Sequence, residues 1–323
     1  MSMFGRIAET LGVRHQSLPT AEELAAGAAV PDLRRLRARA AAGEAAAQHC
    51  LAALYELGRS MPQNFVEATR LFKAAAEQGF VPAQARLGDI YLNGRAAPGS
   101  VSASAVALLA EAKGAETNAL QRLFPQGLTI RPDFAAALRW NEQAATAGDA
   151  TAQTRLAYQF TTGRGASADY ALAEKWFKAA AEQEAETGEL GLGMLFAGGY
   201  GRAPDHAAAA VWFEKAAARG NAAAKACLAA LLLRGDGVAQ DVQRGLAQLT
   251  EAAEKGHVEA MLRLGNLYRQ GDVIAADASL AETWLRRAAA RGAITALVAL
   301  GRLMEGQTPP DHHYAAIFYR QAA

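Results

Sequence analysis

Apolar positions along the chain fall into two alternating patterns. The first places alanine, leucine, a small residue and an aromatic at helical spacing: Ala83, Leu87, Gly88, Tyr91; Ala152, Leu156, Ala157, Phe160; Ala260, Leu264, Gly265, Tyr268. Steps of three and four put these side chains on one face of an α-helix. The second pattern is a bulky knob followed by an alanine run. Residues 210–220 read A-V-W-F-E-K-A-A-A-R-G, and residues 66–79, 134–148, 170–182 and 279–292 are variants. All four tryptophans, Trp140, Trp176, Trp212 and Trp284, hold the knob position. Each pattern predicts a short amphipathic helix, so the chain reads as repeated helix pairs.

Punctuation between the helices has the same period. Gly79, Gly148, Gly220, Gly256 and Gly292 are spaced by 36 or its multiples, apart from one stretch of 69, with Glu184 in the same slot. Fifteen residues after each terminator stands a second glycine: Gly58, Gly94, Gly163, Gly199, Gly235 and Gly271. Both sets suit the left-handed residue that ends a helix. Seven residues before each knob stands Asn64, Asp133, Asp169, Asp205, Asp241, Asp277 or Asp311, the expected N-cap of the second helix. The repeat with Val101 at that place lacks one. The small residues Gly88, Gly193, Gly265 and Gly301, with Ala157 and Ala229, are expected to let the paired helices lie close, and the knob to fill the wedge between successive repeats. The stretch of 69 divides at Gly114, because residues 108–114 match 248–256 with two residues missing. The expected repeats are 44–79, 80–114, 115–148, 149–184, 185–220, 221–256, 257–292 and a shortened 293–323.

Residues 1–43 are the least regular. Phe4, Ile7 and Leu11 suggest a short amphipathic turn, and Thr20 with Glu23 forms a capping box. Pro31-Asp32 opens a helix running toward Gly43. It reads as a half repeat capping the first apolar face, with Arg34, Arg35, Arg37 and Arg39 expected to cover that face.

Composition adds limits. Hydrophobic residues make up 51% of the chain, largely alanine, and aromatics 7%, which suits thin, closely packed helices. A net charge of +1 gives no whole-molecule reason to expect nucleic acid. No apolar run approaches the ~20 residues of a membrane span. The first residues lack the apolar core of a secretory signal, so the expected location is cytoplasmic. Cys50 and Cys227 match no metal or redox spacing.

The 36-residue period, with A-x-x-x-L-G-x-x-Y-x-x-G followed by D-x-x-x-A-x-x-W-x-x-A-A-x-x-G, resembles the Sel-one-like repeat family, relatives of the tetratricopeptide repeat. The resemblance covers about 280 residues. It implies an all-α, right-handed superhelical α/α solenoid of eight repeats, with first helices lining the concave face. It also implies an adaptor that holds other proteins together. Secreted members staple each repeat with cysteines eight apart, a pairing this chain lacks.

No catalytic constellation, metal site or cofactor motif emerges. His312-His313 reads as part of a solvated loop, and His49, His206 and His257 have no metal spacing. The glycine clusters at 163–165 and 198–201 follow helices rather than strands, so capping accounts for them better than phosphate binding. Arg234-Gly235-Asp236 spells an adhesion tripeptide, but its glycine is the expected helix stop. The expected function is a scaffold binding a protein or peptide in the groove. By analogy with the tetratricopeptide face, the groove is lined by Asp89, Asn93, Tyr158, Met194, Arg234, Asn266, Arg269 and Arg302, with Thr154, Thr161, Leu190, Leu233, Leu262 and Val298 among them. A second expected surface is the last helix, where Ile317, Phe318 and Tyr319 lie on an uncovered repeat and would meet a partner or another copy. The alternatives are self-assembly through that end, or an enzymatic site in the atypical segment 115–131.

Overall fold

The computed structural model describes residues 18–96, 129–306 and 309–322. The expectations for Phe4, Ile7, Leu11, Val101 and Gly114, and for residues 115–128, lie outside the described residues. The chain gathers into two compact units, Met1–Gln159 with Gly163–Ser167, and Phe160–Thr162 with Ala168–Ala323.

The first unit holds α1 (Ala21–Ala25), α2 (Leu33–Ala41), α3 (Ala45–Leu57), α4 (Phe65–Glu77), α5 (Val81–Asn93), α6 (Phe134–Thr146) and most of α7 (Ala150–Thr162). From α3 to α6 each helix packs on its predecessor, and α1 packs on α3. Between α5 and α6 two short strands, β1 (Arg95–Ala96) and β2 (Thr129–Ile130), pair antiparallel, with Arg95 opposite Ile130. Across this ribbon α5 packs directly on α6, and the Asp133 amide donates to the Tyr91 carbonyl at 2.8 Å. That bond recurs in the other helix pairs, for example from Asn64 to Tyr55 at 3.0 Å. The core of this unit includes Leu24, Leu36, Leu54, Phe72, Leu87, Ile90 and Trp140.

The second unit holds α8 (Tyr170–Glu182), α9 (Glu186–Gly198), α10 (His206–Ala218), α11 (Ala222–Arg234), α12 (Val242–Glu254), α13 (Val258–Gln270), α14 (Ala278–Ala289), α15 (Ile294–Glu305) and α16 (His312–Ala322). Each packs on the next, and first helices also touch first helices, α11 on α13 and α13 on α15. Apart from the ribbon, every element among the described residues is helical. Each unit is a stack of α-helix pairs, as the two patterns predict.

The caps follow the sequence. Asn64, Asp133, Asp169, Asp205, Asp241 and Asp277 each accept a hydrogen bond from a backbone amide three residues on, and Asp311 accepts from the Tyr314 amide at 3.0 Å. His312 and His313 therefore belong to the first turn of α16 rather than to a loop. At the helix ends, the terminal glycines have positive φ, and Glu184 in their slot adopts the same conformation at φ 61°.

The interior packing corrects one expectation. The residue that plugs each helix pair is the one after the knob: Phe72, Asn141, Phe177, Phe213, Leu249 and Leu285 are all buried. A Cβ added at Gly88, Gly193, Gly265 or Gly301 would collide with Asn141, Phe213, Leu285 or Tyr319 respectively. The tryptophans sit one residue to the side. Trp140 and Trp284 are buried, whereas Trp176 and Trp212 are only half-buried. A helical step of about 100° separates neighbouring residues, so only one of the pair can point straight into the partner helix.

Candidate protein-binding face

The predicted groove residues divide between the units. In the first unit, Asp89 and Asn93 lie on α5 inside an ion-pair network. The buried Glu56 carboxylate on α3 accepts from Arg86 Nε at 2.8 Å and Arg95 Nε at 2.9 Å. Asp89 accepts from Arg95 Nη2, from Arg86 Nη1 at 3.4 Å and from Asn93 Nδ2 at 2.7 Å, with Arg155 Nη2 of α7 at 3.7 Å. Burial raises the Asp89 carboxyl, but the positive charge of Arg155, Arg95 and Arg86 holds it below its ordinary pKa. Three guanidinium groups thus surround two carboxylates and tie α3, α5, β1 and α7 together. The Asp89 oxygens are taken up within the unit. Tyr158 lies half-buried on α7.

In the second unit the first-helix face carries an open depression of about 370 Å³. Ala230, Leu233, Leu249 and Leu267 give it an apolar floor, and Val273 an apolar edge. Arg234, Arg263, Asn266 and Gln270 supply its polar groups. Two of the predicted residues, Arg234 and Asn266, therefore meet at one site. The Arg234 Nε donates to Asp236 Oδ2 at 2.6 Å, and Asn266 Oδ1 accepts from Arg269 Nε at 3.4 Å. Arg263 donates to Glu259 at 3.0 Å and reaches the Ala226 carbonyl at 3.4 Å. Met194 is exposed on α9 and Arg302 on α15. Three of the wider groove set are largely buried, Thr154, Leu190 and Leu233, and of these Leu233 reaches the floor of the depression. Period alone did not single out Arg263, Leu267, Gln270 or Val273. Gln270 and Leu267 were one helical step from positions already chosen.

At α16 the predicted trio separates. Tyr319 turns inward, its ring over Gly301 and its hydroxyl donating to Glu305 Oε2 at 2.9 Å. Ile317 and Phe318 line a depression of about 560 Å³ with Tyr314, Leu297, Leu300 and Ala289, and Arg286 stands 5.9 Å from the Phe318 ring. A corresponding notch of about 750 Å³ lies beside Trp212, between α8 and α10. There the floor is the buried Glu189, which accepts from Arg219 Nε at 3.2 Å. Equivalent places in the repeat thus carry opposite chemistry, polar beside Trp212 and apolar beside Phe318. No helix among the described residues is long and apolar enough to cross a membrane.

The Sel1 repeat model matches residues 45–80, 81–112, 124–149, 150–184, 188–221, 222–257, 258–292 and 294–323. A Sel1 repeat protein from Oxalobacter formigenes is similar in structure, with a TM-score of 0.62 and 25% identity over 76% of this chain and 85% of that one. A protective antigen of uropathogenic Escherichia coli, c5321, which displays an SLR fold, aligns with a TM-score of 0.51 and 29% identity. That alignment covers 90% of this chain and 64% of the antigen. Among curated proteins none matches the chain in sequence. Proteins built from such repeats are generally interaction scaffolds rather than enzymes. With eight matched repeats and the same stacked helix pairs, the chain belongs to the Sel1 repeat family.

Proposed function

We propose that the chain is a cytosolic protein-interaction scaffold, and that it seats an extended segment of a partner on the first-helix face of the second unit. The depression between α11 and α13 carries this reading. An apolar side chain of the partner enters against Ala230, Leu233 and Leu267, where its removal from water supplies the main driving force. The amides of Asn266 and Gln270 are placed to pair with the partner's backbone. Arg269, and Arg302 one repeat further on, suit a carboxylate. In the first unit, Asp89 and Asn93 act on this reading as ties within the unit rather than as contacts.

The test is affinity capture from a lysate of the source organism, with wild type beside two variants. One carries Asn266→Ala, Arg269→Ala and Arg302→Ala, and the other carries Ala230→Glu, which fills the depression. Circular dichroism establishes that all three are folded. A protein held by wild type and lost by both variants supports the reading. Identical capture by all three sinks it.

A second reading is self-association through α16, favoured by the apolar lining of the depression beside Phe318. It predicts a sedimentation mass that rises with concentration and stops rising in Tyr314→Asp or Phe318→Asp. A strict monomer at high concentration would end it.

A further inference from the structure

Helix α2 was expected to turn its arginines onto the first apolar face of the stack. The structure does the reverse: Leu36 and Ala40 are buried against the core, Leu33 packs beside them, and Arg34, Arg35, Arg37 and Arg39 are exposed. At about 100° per residue the four arginines span about 200° of the helix surface, opposite the buried stripe. The outward arc of α2 is therefore arginine, interrupted only by the exposed alanines Ala38 and Ala41.

Elsewhere surface cations are commonly matched: Arg70 with Glu67 at 2.6 Å, Lys178 with Glu174 at 2.7 Å, Arg244 with Glu214 at 2.7 Å, Arg286 with Glu282 at 2.6 Å. On α2 only Arg39 is matched, its Nε donating to Glu44 at 2.6 Å. Among the described residues no carboxylate lies within ion-pair distance of Arg34, Arg35 or Arg37. The nearest acid in sequence, Asp32, uses its carboxylate to cap the helix through the Arg35 amide at 2.8 Å. The arrangement works against the helix. Arg34 and Arg35 sit in its first turn, where the helix dipole disfavours cations, and no acid stands there. Arg34 with Arg37 and Arg35 with Arg39 are like-charge neighbours one turn apart. Three local choices that oppose folding, concentrated on one exposed arc, mark a surface whose charge is balanced from outside.

We infer that α2 is an electrostatic docking face for a carboxylate-rich segment of a partner protein. Guanidinium groups take carboxylates bidentately, and the rigid helix holds them in a fixed row. A bilayer surface fits poorly, because the apolar residues of α2 point into the core and none is left to insert. Nucleic acid fits poorly as well. The whole chain carries only +1, and no large apolar or aromatic side chain is exposed among the described residues before Phe134 to stack on a base. The site lies on a different unit from the groove and stands independently of it.

The experiment is fluorescence anisotropy on the full chain with a labelled peptide of alternating glutamate and serine. Separate arms use duplex RNA and phosphatidylserine vesicles. Wild type is expected to bind the peptide, with affinity falling as salt rises from about 50 to 200 mM. The triple variant Arg34→Glu, Arg35→Glu, Arg37→Glu is expected to bind at least about tenfold more weakly. The matching lysine triple should be intermediate, and the Asn266, Arg269, Arg302 alanine variant should bind as wild type. Because the reversal places acids in the first turn and turns the repulsion at positions 35 and 39 into attraction, its melting temperature is expected to be no lower than that of wild type. The inference is overturned if the peptide fails to bind, if the reversal leaves affinity unchanged, or if the groove variant alone loses it. Preferred binding of RNA or vesicles would overturn the carboxylate assignment. A clear drop in melting temperature on reversal would show the arginines to be structural and overturn it too.

Discussion

At the scale of single residues, Glu184 is the exception to the glycine slot. It holds φ 61° where Gly79, Gly148, Gly220, Gly256 and Gly292 stand in the other repeats. A left-handed conformation costs a residue with a Cβ about 1 kcal/mol, and glycine adopts it freely. The Glu184 carboxylate also meets Arg219 at 2.9 Å, but it is 72% exposed, and Arg219 keeps Glu189 as a partner. Glu184→Gly is therefore expected to raise stability by about 0.5 kcal/mol, read as a higher urea midpoint. His49 gives a pH effect. It is buried between Phe72 and Phe80, each ring 5.3 Å away. Burial holds its pKa down to about 4, and Arg86 pushes the same way against Glu22. Above the ordinary value of about 6.5 neither state is protonated, so the group has no effect. As pH falls below that, the unfolded chain takes up a proton that the folded chain refuses. Stability drops until about pH 4, by at most about 3 kcal/mol. Asp89, held low by its arginines, adds a further loss at lower pH. Melting curves from pH 7 to 5 should fall for wild type and stay flatter for His49→Leu. Caps and terminators were legible in the sequence because each answers to backbone geometry within a few residues. The environment of His49 was not, because its rings come from α4 and from Phe80.

At the scale of helix pairs, the choice of plug can be tested directly. Phe213 is 3% exposed and faces Gly193, while Trp212 beside it is half-buried with Lys215 4.1 Å from its ring. Phe213→Ala is expected to cost about 3–5 kcal/mol, and Trp212→Ala clearly less despite the larger side chain. Equal losses in denaturant midpoints would mean that Trp212 contributes as much as the plug. The period showed where helices start, stop and approach, because the glycine and its opposing residue recur together. It could not say which of two adjacent bulky residues faces inward, since Trp-Phe satisfies a helical pattern in either phase. Nor could it show Asn141, a buried amide in a slot otherwise filled by Phe, Leu and Tyr, whose Nδ2 donates to Gln159 at 2.7 Å. The Glu56–Asp89 network was equally hidden. Its partners come from α3, α5, β1 and α7, with Arg86 30 residues from Glu56 and Arg95 39 away. Such a network belongs to no single repeat.

For the whole molecule, the consequence of stacked pairs is that stability is a sum of local terms. Within each unit, helices α2 to α6 and α8 to α16 pack mainly on their sequence neighbours, with lesser contacts between first helices one repeat apart, α11 with α13 and α13 with α15. A chain of this kind is close to one-dimensional, and a lesion spreads through shared faces rather than through a common centre. Leu264 lies wholly buried in α13, in a cluster that includes Ala226, Leu249, Leu285 and Leu300. Leu264→Ala should remove about 2–5 kcal/mol from that neighbourhood. Native-state hydrogen exchange then reads how far the loss travels. Amides of α11 to α15 are expected to exchange faster, most strongly in α12, α13 and α14. Those of α3, α4 and α5, which belong to the other compact unit, should keep their wild-type rates. Uniform acceleration through both units would mean that the chain unfolds as one cooperative body. A local effect would also explain how α2 can carry unmatched arginines: repulsion there is confined to its own few neighbours and leaves the packing of α11 and α13 intact.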